Sequence, residues 1–293
     1  MRLNRKFLVC CASVAFSSYV SAANLPLGIP ELKLSDGTSI PQLGCGVWEL
    51  SGQEAYQSVS ESIKLGYRLI DTAQYYRNEK ETYQAVLDSG IDRKNFYITT
   101  KLNPSIATNE KAIREALDRS LSNLGGKIDL VLIHWPFSND EMAWKIMEEY
   151  VTSGKFVSIG LSNYSPEAVE RILKIAKVKP VLNQVEIHPY NSKYPKVEAY
   201  EKLGLKVEAW SPLGAGRQGL LKDPVIMDIA KAHNKSAAQV ILRWDLQRGL
   251  VTIPRSKNPA HIKENISIAD FELSADDMKK IDSINKDDAL WDI

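Results

Sequence analysis

The chain has 293 residues, of which 44% are hydrophobic and 25% are charged, and its formal net charge is +1. This composition is ordinary for a globular domain. A charge so close to zero predicts no nucleic-acid partner and no electrostatic attraction to a membrane surface. Three cysteines cannot form a disulfide framework. The length allows two small domains or one large barrel.

The first residues differ from the rest of the chain. A basic start precedes an uncharged, mostly apolar run from Phe7 to Val20, and Ala22 ends a small-residue cleavage pattern. We therefore expect residues 1–22 to be a secretory signal peptide, too short to span a membrane, and residues 23–293 to be the mature domain. This predicts export to the periplasm or the secretory pathway. An uncleaved apolar anchor is one alternative, and an incorrect start, with a cytoplasmic protein, is the other.

The domain opens with a predicted hairpin. Residues 31–41 alternate apolar and polar side chains around Asp36 and Gly37. Two short runs joined by such a pair predict antiparallel strands with a tight turn. We expect this hairpin to cap one end of the domain.

Beyond the hairpin, short apolar runs alternate with stretches of helical periodicity. The predicted strands are residues 43–46, 68–71, 96–101, 130–134, 157–161, 181–186, 206–210 and 250–254. The clearest helical stretches are 53–65, 110–124, 166–176 and 236–247. Strands separated by helices pair in parallel, so the chain predicts a single (β/α)8 TIM barrel. A doubly wound open sheet is the alternative α/β fold.

Four polar side chains stand at or just after successive predicted strand ends. Asp71 ends the second strand, Tyr76 follows it in a loop, Lys101 ends the third strand and His134 ends the fourth. Barrel enzymes carry their chemistry at the carboxyl ends of the strands, so we expect these four to share one pocket. Singly, each has a plainer interpretation, as a helix cap, a packing residue, a surface charge or a core histidine.

Together these groups suit the protonation of a carbonyl compound. A phenol has a pKa near 10, and a neighbouring ammonium lowers it. The carboxylate would hold the ammonium, and the imidazole would donate a hydrogen bond to the carbonyl oxygen. The four residues do not themselves supply a reductant.

Six longer segments carry a resemblance to a known family. They are residues 66–79, 129–136, 159–164, 183–189, 209–214 and 251–256, and the fourth has the sequence NQVEIHP. Over residues 31–285 the chain resembles aldo-keto reductases, in particular bacterial aldehyde, glyoxal and 2,5-diketo-gluconate reductases. The resemblance implies a barrel that reduces small aldehydes and ketones with NADPH, and a catalytic tetrad of Asp71, Tyr76, Lys101 and His134.

The resemblance also implies cofactor positions. Ser162, Asn163 and Gln184 match residues that hold the nicotinamide carboxamide, and Trp210 matches the aromatic residue that stacks on the ring. The remaining matches run from the pyrophosphate to the adenine and are Ser211, Leu213, Arg255, Ser256, His261, Glu264 and Asn265. A neutral histidine at 261, where relatives that prefer NADPH often have arginine, holds a 2′-phosphate less well, so NADH is the alternative cofactor.

The substrate side is less constrained. By the same resemblance, Trp48, Trp135 and His134 line the substrate pocket, and the short tail after Ile284 predicts an open pocket. The glycines at 214, 216 and 219 satisfy G-x-G-x-x-G, but no strand directly precedes them and no helix directly follows. We therefore interpret them as a flexible loop over the cofactor and not as a dinucleotide-binding turn.

Other functions fit less well. The four histidines are scattered and no Cys-x-x-Cys pair exists, which disfavours a metal site. No G-x-S-x-G motif supports a serine hydrolase. Two alternatives stay open: a nicotinamide-binding sensor without turnover, and a sugar-phosphate isomerase with Glu186 as base. We predict a monomeric oxidoreductase with a small carbonyl substrate and neither nucleic-acid nor membrane partners.

Overall fold

The structure is a computed structural model that describes residues 28–216 and 219–290. The predicted signal peptide, residues 1–22, lies outside the described part and stays a prediction. None of the helices in that part is long and apolar enough to cross a membrane.

The predicted hairpin is present. Strands β1 (Glu31–Lys33) and β2 (Ser39–Pro41) pair antiparallel. In the turn, Asp36 Oδ1 accepts hydrogen bonds from the backbone N–H and the hydroxyl of Thr38 at 2.9 and 2.7 Å. The other carboxylate oxygen accepts from the hydroxyl of Ser158 at 2.6 Å. Because Ser158 lies near the amino end of its strand, the hairpin covers the amino-terminal end of the barrel.

Eight parallel strands follow in one sheet whose order runs from the last strand to the first. They are β3 (Gly44–Gly46), β4 (Leu69–Asp71), β5 (Tyr97–Leu102), β6 (Ile128–Ile133), β7 (Phe156–Ser162), β8 (Leu182–Glu186), β9 (Lys206–Trp210) and β10 (Val251–Thr252). A bridge between Leu43 and Thr252 joins the two ends of the sheet, as does a 3.1 Å hydrogen bond from Gly46 N to Pro254 O. The predicted barrel is confirmed, and the open sheet is excluded. The last strand is two residues long instead of the predicted five.

Helices fill the intervals between the strands. They are α1 (Gly52–Lys64), α2 (Glu79–Asp88), α3 (Glu110–Asn123), α4 (Asp140–Thr152), α5 (Pro166–Ile175), α6 (Tyr194–Lys202), α7 (Pro224–His233), α8 (Ala237–Gln247), α9 (Pro259–Ile266) and α10 (Ala275–Ser283). The predicted start of α5 is confirmed, with Ser165 Oγ accepting the N–H of Ala168 and Pro166 in the first turn. Helix α1 begins with a capping box between Ser51 and Glu54.

The interior of the barrel changes character along the strands. Near the hairpin it is apolar, with a cluster that includes Leu34, Leu69, Leu130 and Leu182. Because side chains two residues apart in a strand share a face, the residues above Leu69 and Leu182 are Asp71 and Gln184. The carboxyl end of the interior is therefore polar, and this is where the predicted site lies.

Candidate active site

Lys101 is the centre of the predicted tetrad. Its ammonium donates hydrogen bonds to Asp71 Oδ1 at 2.5 Å, to the backbone oxygen of Thr72 at 3.0 Å and to the hydroxyl of Tyr76 at 3.3 Å. The side chain of Lys101 is completely buried. All three ammonium donors therefore have protein acceptors, and one of these acceptors is the phenol.

Hydrogen bonds to α3 and to Asn103 hold the loop that carries Tyr76. Residues Gln74–Tyr76 form a short 3-10 helix that ends at Arg77, whose backbone is left-handed with φ of 58°. The side chain of Gln74 donates to Ala116 O and Ser120 Oγ of α3 and accepts the N–H of Asn103 at 2.9 Å. These contacts fix the turn, and through it the position of the phenol over Lys101.

Burial dominates the ionisation of Tyr76. Removal from water raises the pKa of the phenol to about 12, although the positive charge of Lys101 opposes this shift. The expectation that Lys101 lowers the phenol pKa below its usual value is thus wrong for the net effect, because desolvation is larger. Tyr76 is a protonated hydroxyl at neutral pH. Burial also opposes the charge of Lys101, but Asp71 and Tyr76 together keep the pKa of Lys101 above its ordinary value.

His134 is neutral and lies against Tyr76. Burial, together with the charge of Lys101, lowers the pKa of the imidazole to about 3. The two rings meet edge to face, with centroids 5.6 Å apart and planes at 78°. His134 follows the last residue of β6 by one position, whereas the sequence placed it within the strand. A neutral imidazole retains one N–H donor that can hold a carbonyl oxygen.

The tetrad opens into a cavity of about 820 Å³, a size typical of small-molecule sites. Thirteen further predicted residues were candidates for its lining, and eleven of them line it. The eleven are Trp48, Trp135, Ser162, Asn163, Gln184, Trp210, Ser211, Leu213, Arg255, Ser256 and His261. Glu264 and Asn265 do not line the cavity, since they lie in the last turn of α9. Their predicted adenine contacts have no support from this cavity.

Asn163 connects three residues of the cavity wall. Its backbone is left-handed, with φ of 63°, a conformation that asparagine tolerates better than most residues. Its amide nitrogen donates to His134 O and Ser162 Oγ, each at 3.1 Å, and its amide oxygen accepts from Trp210 Nε1 at 2.8 Å. Asn163 thus fixes the indole ring of Trp210 and the backbone of His134.

Gln184 connects the tetrad to a residue that the sequence analysis missed. Its amide nitrogen donates to Asp71 Oδ2 and to Glu208 Oε2, both at 2.9 Å. Glu208 is fully buried in β9, directly beside Gln184 in the sheet register. The available signal was its spacing of two from Trp210, which places both on one face of the strand.

Cationic residues lie at the other end of the cavity. Arg255 Nη2 lies 3.2 Å from Glu49 Oε2, and Lys257 Nζ lies 3.1 Å from Glu54 Oε1. Both Arg255 and Lys257 line the cavity close to the start of α9. Arginine and lysine together suit a phosphate group.

Two further residues near the site have contrasting positions. Tyr75, the neighbour of Tyr76, has 62% of its surface exposed and lines the cavity. Glu186, the candidate base of an isomerase, is buried and accepts hydrogen bonds from His188 Nε2 at 2.9 Å and Leu290 N at 2.7 Å. It does not line the cavity, so Glu186 cannot act as the base of an isomerase there.

The glycine-rich loop borders the same cavity. Ala215 and Gly216 line it, and Gly214–Gly216 form a short turn, whereas residues 217 and 218 lie outside the described part. No group of three His, Cys, Asp or Glu side chains in the described ranges could hold a metal ion.

Comparisons with known proteins cover nearly the whole barrel. Residues 40–286 match the model of the Aldo/keto reductase family. A glyoxal reductase of Bacillus subtilis (strain 168) is 42% identical over 264 residues, which span 88% of this chain and 94% of that protein. The crystal structure of an aldo/keto reductase from Brucella melitensis has 43% identity and a TM-score of 0.84, over 88% of this chain and 100% of that one. The crystal structure of a Bombyx mori aldo-keto reductase in complex with NADP has 31% identity and a TM-score of 0.85, over 91% of this chain and 96% of that one.

Proposed function

The chain belongs to the aldo/keto reductase family of oxidoreductases, and on that premise we propose that it reduces small aldehydes and ketones to alcohols with NADPH. The observation that supports this most is the contact of one buried ammonium with both Asp71 and Tyr76. Tyr76 and His134 both line the cavity, so a substrate carbonyl can reach the phenol and the imidazole together.

The residues present fit a nicotinamide dinucleotide phosphate. Gln184 lines the cavity, and its amide oxygen accepts no hydrogen bond from the described residues, so it is available to a carboxamide N–H. Trp210 offers an aromatic face, and Arg255 with Lys257 offers cationic groups for the 2′-phosphate. When bound, NADPH supplies the hydride that reduces the carbonyl carbon.

The protein contributes the proton and the orientation. Tyr76 is protonated at neutral pH and donates its hydroxyl proton to the carbonyl oxygen. Lys101 stabilises the phenolate left behind, which burial alone would make costly. Asp71 compensates the buried ammonium, and His134 donates a hydrogen bond that holds the carbonyl oxygen beside Tyr76.

Tyr76→Phe tests the proton donor. The phenyl ring keeps the packing against His134 but removes the hydroxyl, so we expect kcat for a panel of small aldehydes to fall by about 100- to 10,000-fold. The rate is measured by NADPH absorbance. Tyr75→Phe is the control and should retain nearly full activity. Full activity in Tyr76→Phe would exclude the phenol as the acid.

A sensor barrel without turnover is the alternative function, and the same assay separates the two. Wild-type protein that binds NADPH tightly but is not reoxidised by any carbonyl compound in the panel would support the sensor. The complete tetrad and the relatives' activities as reductases favour the enzyme.

We also propose that the protein acts as an exported monomer. The export rests on the apolar segment between Phe7 and Val20. Amino-terminal sequencing of the protein from cell fractions tests it, and an intact Met1 in the cytosol would contradict it. Sedimentation analysis tests the monomer.

A further inference from the structure

Gln184 occupies an unusual position between two buried carboxyl groups. Asp71 Oδ2 and Glu208 Oε2 each lie 2.9 Å from its amide nitrogen. An ionised carboxylate oxygen can only accept a hydrogen bond, so an amide oxygen turned toward Asp71 would meet no donor there. The two contacts therefore fix which way the amide faces.

This orientation has a consequence for the cavity. Both amide hydrogens of Gln184 donate to carboxyl oxygens, one of Asp71 and one of Glu208. The amide oxygen is therefore turned away from these two residues. Gln184 is only 2% exposed, and it lines the cavity beside Asn163 and Trp210. The amide oxygen of Gln184 therefore faces the cavity as a hydrogen-bond acceptor, and the N–H of a carboxamide requires such an acceptor.

Glu208 has no other evident task. It is completely buried in the barrel, it does not line the cavity, and it makes no ion pair with a described residue. Its second oxygen, Oε1, has no hydrogen-bond partner in the described ranges. A buried carboxyl group without a cationic partner is costly to fold, and burial, together with Asp71, raises the pKa of Glu208 to about 8. A leucine would fill the same space at lower cost.

We propose that Glu208 is a positioning residue that, together with Asp71, holds the amide of Gln184 with its oxygen toward the nicotinamide end of the cavity. This inference rests on the proposed function, because it assigns the acceptor to a nicotinamide carboxamide. Glu208 acts on the cofactor through Gln184 and does not itself line the cavity.

Glu208→Leu and Glu208→Gln test the proposal by binding of two probes, NADP⁺ and adenosine 2′,5′-bisphosphate, measured by calorimetry. Leucine removes the acceptor and releases the amide of Gln184, so we expect NADP⁺ to bind about five- to twentyfold more weakly. The bisphosphate lacks nicotinamide and should bind equally well to both proteins. Glutamine keeps an acceptor oxygen for Gln184, so Glu208→Gln should bind NADP⁺ within about twofold of wild type.

The pattern across the probes separates positioning from general structure. A loss of affinity shared by NADP⁺ and the bisphosphate, or no loss for either, would overturn the proposal, as would an equal defect in Glu208→Gln and Glu208→Leu. If Glu208→Leu does not fold, Glu208→Ala removes the same acceptor without adding the branched side chain of leucine. Failure of the wild-type protein to bind NADP⁺ at all would instead contradict the proposed function.

Discussion

Arg255 is the residue on which, under the proposed function, we expect cofactor choice to depend most directly. Its guanidinium is paired with Glu49, whose backbone is left-handed with φ of 58°. Any 2′-phosphate that binds Arg255 must compete with that carboxylate. The pair is partly exposed, and exposed ion pairs contribute only about 0–1 kcal/mol, so this competition is mild and can be measured as a change in affinity.

Glu49→Gln should strengthen the binding of NADP⁺. Without the carboxylate, Arg255 is available to the 2′-phosphate, so we expect about two- to fivefold tighter binding of NADP⁺ and unchanged binding of NAD⁺. Fluorescence titration of both cofactors measures this. Glu110→Gln, which removes a surface partner of Arg114 far from Arg255 in the chain, is the control. An equal gain in affinity for NAD⁺ would show that Glu49 does not act by competing with the 2′-phosphate.

At the scale of elements, the first turn of α2 connects the sheet to the next helix. Glu79 Oε1 accepts hydrogen bonds from Thr100 Oγ1 of β5 at 2.7 Å and from Ser120 Oγ of α3 at 2.8 Å. Its other oxygen accepts from Asn123 Nδ2 at 2.9 Å. Because Gln74 also bonds to Ser120, this carboxylate supports the loop that carries Tyr76.

Glu79→Ala should destabilise the protein strongly. It leaves three donors without their acceptor, so we expect the free energy of unfolding to fall by about 2–4 kcal/mol. Urea denaturation measures the change. As a control, Glu110→Ala removes an exposed ion pair with Arg114 and should cost less than about 1 kcal/mol. Similar losses in both variants would argue against a special role for Glu79.

The elements differ in how far the sequence predicts them. Strand β6 is apolar except for Asp129, β8 keeps only Leu182 and Val185 as apolar residues, and the positions of both strands were predicted within two residues. The last strand was predicted as 250–254, but only Val251–Thr252 form a regular strand, although Ile253 N and Pro254 O still make hydrogen bonds to the neighbouring strands. Helices with weaker periodicity, such as α2 and α6, were not identified, since each has few buried apolar residues.

The features of the candidate site also divide into those that the sequence predicts and those that it does not. Asp71, Tyr76, Lys101 and His134 were placed together because successive strand ends meet in any barrel. The net pKa of Tyr76 was not predictable, since it depends on how completely the folded loop removes the phenol from water. The sequence analysis missed Glu208 because an isolated acidic residue in a short strand is equally typical of an exposed position.

At the scale of the whole molecule, two buried carboxyl groups contribute to the dependence of stability on pH. Burial raises the pKa of Asp245 to about 7, and Glu208 shifts in the same direction. In the unfolded chain these groups lose their protons near pH 4. Between that pH and their folded pKa values these two groups bind more protons in the native state, so their contribution to stability is full at low pH and is lost as pH rises toward 8.

Asp245→Asn should flatten that dependence. Asp245 lies in α8 and accepts a 2.8 Å hydrogen bond from Thr252 Oγ1, which an amide oxygen can still accept. Between pH 5 and pH 8 we expect the variant to lose about 2–3 kcal/mol less of its unfolding free energy than wild type. Guanidinium denaturation at both pH values measures this. A slope identical to wild type would mean that Asp245 is ionised throughout this range in the folded protein.

The bridge between Leu43 and Thr252 also constrains the order of assembly. It joins the first and last strands of the ring, so the ring cannot close until nearly the whole barrel segment has left the ribosome. Until then Lys101 and Glu208 are open to water, and the phenol of Tyr76 ionises as an ordinary tyrosine. Contacts between such distant positions form slowly. Activity should therefore be the last property that a refolding chain recovers, after its helices have formed.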